Sequence, residues 1–241
     1  LIITNTGTTT SAGSLDAGTN LTLVSTGSIS LAHNVTGPSG VSITVSGAAA
    51  QLNQSAGTIS STNPITLIAD DMVLSGTASI NAGGADVVLR PNANAMVIRL
   101  GVGASDFGLS DAELDRITST GTIIIGDAAN TGGIVLDGDF SRSGNLTLRT
   151  GAAIARSVGT LSASGNLVLQ AVSGIGALVG PAPIVIGSSG TVSATNSTSG
   201  DLFLSMVDLV TLGSAGFVLS QWPNGNLRID SGGNIVIGAN V

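Results

Sequence analysis

Fourteen carboxylates and one histidine are the side chains from which this 241-residue sequence could assemble acid–base chemistry. Two carboxylate pairs stand close together: Asp70-Asp71, directly after Leu67-Ile-Ala, and Asp137-Gly-Asp139. Paired carboxylates across a groove are what glycosidic-bond cleavage requires. The chain contains neither Lys nor Tyr to assist them, so both pairs read as corner residues of a repetitive fold. His33 is the only histidine, which rules out a two-histidine metal site and leaves it as a turn residue. Zero Cys excludes disulfides and thiolate sites. Calcium is the rival use for Asp137 and Asp139, since closely spaced carboxylates suit that ion. Gly83-Gly-Ala-Asp86-Val approaches the glycine-rich calcium-binding nonapeptide once, however, where true sites stack in rows. Solvated turn acids are the reading adopted, with calcium at Asp137 and Asp139 left open. No residue is assigned a catalytic, cofactor-binding or metal-binding role.

Two further features suggest binding. Thr22, Thr44 and Thr66 recur 22 residues apart, as in the threonine ranks of ice-binding solenoids. The rank then passes to Val88, Ile124, Thr147 and Val168, so strand propensity on an outward face explains it more economically. Trp222, in Gln221-Trp-Pro-Asn-Gly, is the sole tryptophan; it suits a glycan anchor less well than a cover over a core rung. Net charge is −7 with only seven Arg, which argues against a nucleic-acid partner. No apolar run approaches the roughly 20 residues of a membrane-spanning helix.

The elements that would position these residues follow from a repeat. A small residue or Asn stands one or two positions ahead of apolar–X–apolar at Leu21-Thr-Leu23, Ile43-Thr-Val45, Ile65-Thr-Leu67 and Val87-Val-Leu89, and the anchors Leu21, Ile43, Ile65 and Val87 are spaced by 22. The pattern resumes at Ile123, Leu146, Leu167, Ile184, Leu202 and Leu227, with second apolar beats such as Ile29-Ser-Leu31, Ile59, Ile80 and Ile154 between. Short strands with Gly, Ser and Asn turns, returning after a fixed circuit and almost without hairpin signals, predict an all-β, right-handed parallel β-helix over residues 1–241. About ten coils at a strand spacing of roughly 4.8 Å make a rod on the order of 50 Å long. Within it Leu21, Ile43, Ile65 and Leu146 face inward, and Thr22, Thr44, Thr66 and Thr147 outward. Asn20, Asn145, Asn166 and Asn226 precede anchors, where stacked amides or simple turn preference both account for them.

One stretch breaks the period. In Leu109-Ser-Asp-Ala-Glu-Leu-Asp-Arg-Ile117-Thr the spacing is helical, Ser110 and Glu113 form a capping box, and Leu109 with Leu114 fits a hydrophobic staple. This predicts a helix of two to three turns near 109–118, within a loop–helix excursion over 101–120. Leu114 and Ile117 would pack on the rod, and Asp111 and Asp115 would be exposed.

The same stretch, followed by Thr122-Ile-Ile-Ile-Gly126, resembles a segment that recurs in filamentous-haemagglutinin-like exoproteins of Gram-negative bacteria. That resemblance implies a right-handed β-helix exported to the cell surface or medium, acting as an adhesin or stalk, and carries no catalytic residue. The expectation is a non-enzymatic rod segment, read as a fragment or processed chain without cofactor. Its partners would be a receptor or glycan on a host or neighbouring cell, or a second copy stacked head to tail. A carbohydrate-active β-helix enzyme or an ice- or glycan-binding solenoid is the alternative.

Overall fold

The computed structural model describes residues 1–102, 107–177, 183–187, 190–208, 210–212, 217–221 and 223–237. Trp222 lies outside them. Small residues at the corners and β-branched or Leu residues between them give short strands, and every strand pair among the described residues is parallel. The chain is a β-solenoid of about ten turns.

A long face holds ten strands in chain order: Ile2–Asn5, Leu21–Ser25, Val41–Val45, Ile65–Ile68, Val87–Arg90, Ile123–Asp127, Leu146–Thr150, Leu167–Ala171, Val192–Asn196 and Phe217–Gln221. A second face stacks Thr9–Thr10, Ile29–Leu31, Gln51–Gln54 and Asp71–Leu74, then a separate sheet ordered Phe107–Leu109, Ile98–Leu100, Ile134–Asp137 and Ile154–Val158. A third face stacks Leu15–Asp16, Val35–Thr36, Thr58–Ser60 and Ser79–Asn81, and above them Phe140–Arg142, Leu161–Ala163, Ile184–Ile186, Leu202–Met206 and Leu227–Ser231. Val210–Leu212 pairs with Ile235–Ile237. One apolar column of Leu, Ile and Val fills the interior, with Phe107 and Phe140 its largest fully buried side chains.

Strand facing follows the predicted phase at the four named anchors. Leu21, Ile43, Ile65 and Leu146 are each at most 1% exposed, while Thr22, Thr44 and Thr66 face outward and are half-buried. Thr147 also faces outward but is buried, stacked between Ile124 and Val168.

The register differs from a fixed 22-residue step. Leu21 pairs with Val41, Val41 with Ile65, and Ile65 with Val87, so the intervals are 20, 24 and 22 residues. Ile43 stands opposite Leu23. The strand Val41–Val45 offers three inward residues, and the corner before it decides which meets Leu21; a slip of two leaves inward residues inward. Thr22, Thr44 and Thr66 consequently form no single rank. Thr22, Ser42 and Thr66 share one column, and Thr44 lies in the next, between Val24 and Ile68.

Three anchors belong to another face. Ile184, Leu202 and Leu227 lie in strands of the third face, while the long face continues through Val192 and Phe217. Apolar–X–apolar is common to all faces, so the motif alone cannot say which one a strand joins.

The helix is shorter than its spacing predicts. Only Asp111–Leu114 is helical. Phe107–Leu109 is a strand and Ile117 makes a parallel bridge with Ile80, so ladder pairing takes both flanks. The capping box is present, with Ser110 and Glu113 bonding reciprocally, and Leu109, Leu114 and Ile117 are buried. Asp115 is exposed, whereas Asp111 is half-buried because its carboxylate accepts from Ser141 N at 2.6 Å. Among the described residues no helix is long and apolar enough to cross a membrane.

Candidate functional site

Each carboxylate pair diverges along the rod axis. Asp70 is buried at a corner and accepts Ala93 N of the following coil at 2.6 Å, whereas Asp71 accepts Gln51 Nε2 of the preceding coil at 2.7 Å. Asp137 pairs with Arg99 Nη1 of the preceding coil at 2.7 Å, and Asp139 accepts Thr160 N of the following one at 2.8 Å. Neither pair converges on a shared point.

The same use recurs at other corners. Asp86, in the glycine-rich stretch weighed for calcium, accepts Thr122 N at 3.0 Å; Asp111 accepts Ser141 N, and Asp201 accepts Asn226 N at 2.9 Å. A corner amide that leaves the ladder needs an acceptor, and a charged one contributes on the order of 1.5–3 kcal/mol. These acids are coil-to-coil clamps, a role that reading them as solvated turn residues misses. His33 is exposed in the corner between Leu31 and Val35, and its backbone abuts Gly57. Among the described residues no three His, Cys, Asp or Glu side chains group as a metal site would require.

Of the four asparagines, Asn145 and Asn166 adjoin without a side-chain amide ladder: Asn145 Oδ1 accepts the backbone N of Asn166 at 2.9 Å, and Asn166 Oδ1 accepts Thr191 Oγ1 at 2.6 Å. Asn226 bonds Asp201 instead. Among the described residues the fully enclosed asparagines are Asn130 and Asn196. Asn130 donates to the carbonyls of Asn94 and Met96 and accepts from Gly133 N and Thr150 Oγ1. A polar residue at the last inward position of a strand, as in Ser25, Thr150 and Asn196, is the signal available in the sequence.

Burial pushes the Asp137 carboxyl up, but hydrogen bonds from Ser157 and Arg99 and the charge of Arg99 outweigh it and leave it below the usual carboxylate range. A depressed carboxyl stabilises the fold above its unfolded-state pKa, and that contribution is lost as pH falls through the folded value. Asp137→Asn is therefore expected to melt below the parent at neutral pH. The gap should start to narrow as pH falls below about 4 and close only once pH lies below the folded value. Thermal melts at the two pH values check this, and an equal gap at both would deny the ion pair its role.

An open cleft of 530 Å³ lies beside the helix, lined by Asp115, Thr118, Thr120, Arg142, Ser143 and Ser164 among others. Arg142 is buried and donates from Nη1 to Ile117 O at 2.6 Å and from Nη2 to Ser119 O. Burial pushes its guanidinium below the usual range, opposed by the Asp115 carboxylate. Thr118 and Thr120 turn their hydroxyls to the carbonyls of Ile80 and Gly83. The polar groups of the cleft thus largely bond the fold to itself.

The fold and these side chains define a parallel β-solenoid whose described acids mostly hold adjacent coils together. No protein-family model, no curated protein and no solved structure matches the chain.

Proposed function

We propose that this chain is a non-enzymatic rod segment of a secreted or cell-surface bacterial exoprotein, similar to the filamentous haemagglutinins, whose work is reach, display and adhesion. The observation that supports this reading is the commitment of the paired acids: Asp70, Asp71, Asp137 and Asp139 each hold a neighbouring coil, in opposite directions within each pair. A general acid and its partner carboxylate would have to face a common bond across roughly 5–9.5 Å. The partner is a glycan or receptor on a host or neighbouring cell, with head-to-tail association of copies as a second mode of assembly.

Two measurements test the proposal. Beads coated with the chain are expected to adhere to bacterial or epithelial cells above beads coated with an unrelated acidic solenoid. Acidic and neutral polysaccharides are expected to show no turnover, with or without calcium. Turnover abolished by Asp70→Asn or Asp139→Asn in a variant that still folds would replace the rod reading with a carbohydrate-active one.

A further inference from the structure

The rod contains an internal joint. At the coil boundaries below Val87, and again between the coils of Ile123 and Leu146, all three faces carry ladder bonds: Ile65–Ile68, for example, pairs with Val41–Val45, Asp71–Leu74 with Gln51–Gln54, and Ser79–Asn81 with Thr58–Ser60. Through residues 87–123 only the long face is laddered without a break, by Ile65–Ile68 to Val87–Arg90 and on to Ile123–Ile125; the other two faces each break once, at different levels. The second face ends one sheet at Asp71–Leu74 and begins another at Phe107–Leu109. The third ends its lower sheet at Ser79–Asn81 and begins the upper one at Phe140–Arg142.

Charged side chains fill both breaks. Below, on the second face, Glu113 Oε1 accepts Leu74 N at 3.1 Å and Arg116 Nη1 donates to Gly76 O at 2.6 Å. Above, on the third face, Asp111 takes Ser141 N, and Arg142 takes the carbonyls of Ile117 and Ser119. The segment between the breaks belongs to both halves. Its strand Phe107–Leu109 pairs upward with Ile98–Leu100, which pairs on to Ile134–Asp137. Its end, residues 116–120, bonds downward, through Arg116 O to Ile80 N, Thr118 N to Ile80 O and Thr120 N to Gly83 O.

We infer that the solenoid is two cooperative folding units, one below and one above this staggered joint, and that the joint opens as a unit before either half unfolds. Where all three faces are laddered, opening one boundary breaks three ladders together. At the joint two of the three faces are held by a few long side chains, which lose rotamer freedom to make those bonds. Local opening is drawn from regions with the fewest such constraints. Glu113 and Arg116 on one break and Asp111 and Arg142 on the other are linked through the single helical turn Asp111–Leu114 and the turn that follows it. Loosening one break should therefore loosen the other.

Native-state hydrogen exchange on the whole chain tests this with Glu113→Ala and, approaching from the opposite break, Asp111→Ala. Each variant is expected to accelerate exchange about tenfold or more at Leu74, Ile80, Thr118 and Ser141 together, with amides in Val41–Val45 and Leu167–Ala171 unchanged. Acceleration confined to the one amide that lost its acceptor would overturn the inference, because the breaks would then be independent. Equal acceleration along the whole chain would overturn it by showing one cooperative rod. Loss of the entire fold in both variants would overturn it for the same reason, since neither half would then stand without the joint.

Discussion

Ile65→Asp is expected to unfold the solenoid or melt it around the fourth coil, whereas Thr66→Asp leaves it folded. Ile65 is fully enclosed, stacked between Val41 below and Val87 above. A carboxylate there finds no cation, and burying it unpaired costs several kcal/mol of the roughly 5–15 kcal/mol that hold a typical domain together. Thr66, one residue along, faces outward between Ser42 and Val88. Its replacement sacrifices strand propensity and adds a hydrated charge, at about 1 kcal/mol. Thermal melts of both variants beside the parent, at equal protein concentration, make the comparison. Similar midpoints, or a worse Thr66→Asp, would mean that the inward phase is misassigned.

The second large effect concerns two glycines that share a backbone conformation but differ in their surroundings. Gly159 has φ +86° and Gly83 has φ +58°, both in the region that an L side chain enters only with strain. A Cβ on Gly83 meets nothing within 4 Å, so Gly83→Ala should cost about 1–2 kcal/mol, the strain alone. A Cβ on Gly159 would collide with the carbonyl of Gly138 and stand 2.6 Å from Asp139 N. Those are backbone atoms of the coil below, and they cannot rotate aside. Relief requires parting the coils where Thr160 N bonds the Asp139 carboxylate and Phe140 N bonds Thr160 O. Gly159→Ala is expected to cost about 3 kcal/mol or more. Urea midpoints read the difference, and equal losses would show that the coils part more easily than their packing implies.

What the sequence makes legible is what is local or strictly periodic. Leu21, Ile43, Ile65 and Leu146 advertise their inward direction because an apolar residue flanks each Thr on both sides, a signal complete within five residues. The capping box of Ser110 and Glu113 needs only a spacing of three. The second bond of Glu113, to Leu74 N, spans 39 residues and depends on how many residues each intervening corner consumes. The same holds for Asp70 with Ala93 and for Arg142 with Ile117 and Ser119. Corner length also explains why an even 22-residue spacing in the letters becomes steps of 20 and 24 in space. Strand facing survives such slips, so the alternation can be read while the vertical neighbours cannot. Asn130 is illegible for a further reason: its four partners come from three separate segments, and none is marked by composition.

The corner clamps have a direction. Asp70, Asp86, Asp111, Asp139 and Asp201 each supply the acceptor from the earlier coil and take an amide of the later one. Asn34 and Asn145 do the same for Thr58 and Asn166, whereas Glu113 at the joint runs the other way, to Leu74 N. A finished coil therefore presents vacant oxygens toward its successor before that successor exists. In a chain delivered amino end first, each new turn arrives at a template already placed to receive its corner, so the order of synthesis and the order of stacking coincide. Delivery from the carboxyl end would find these corners reversed, with amides waiting for acceptors still to come.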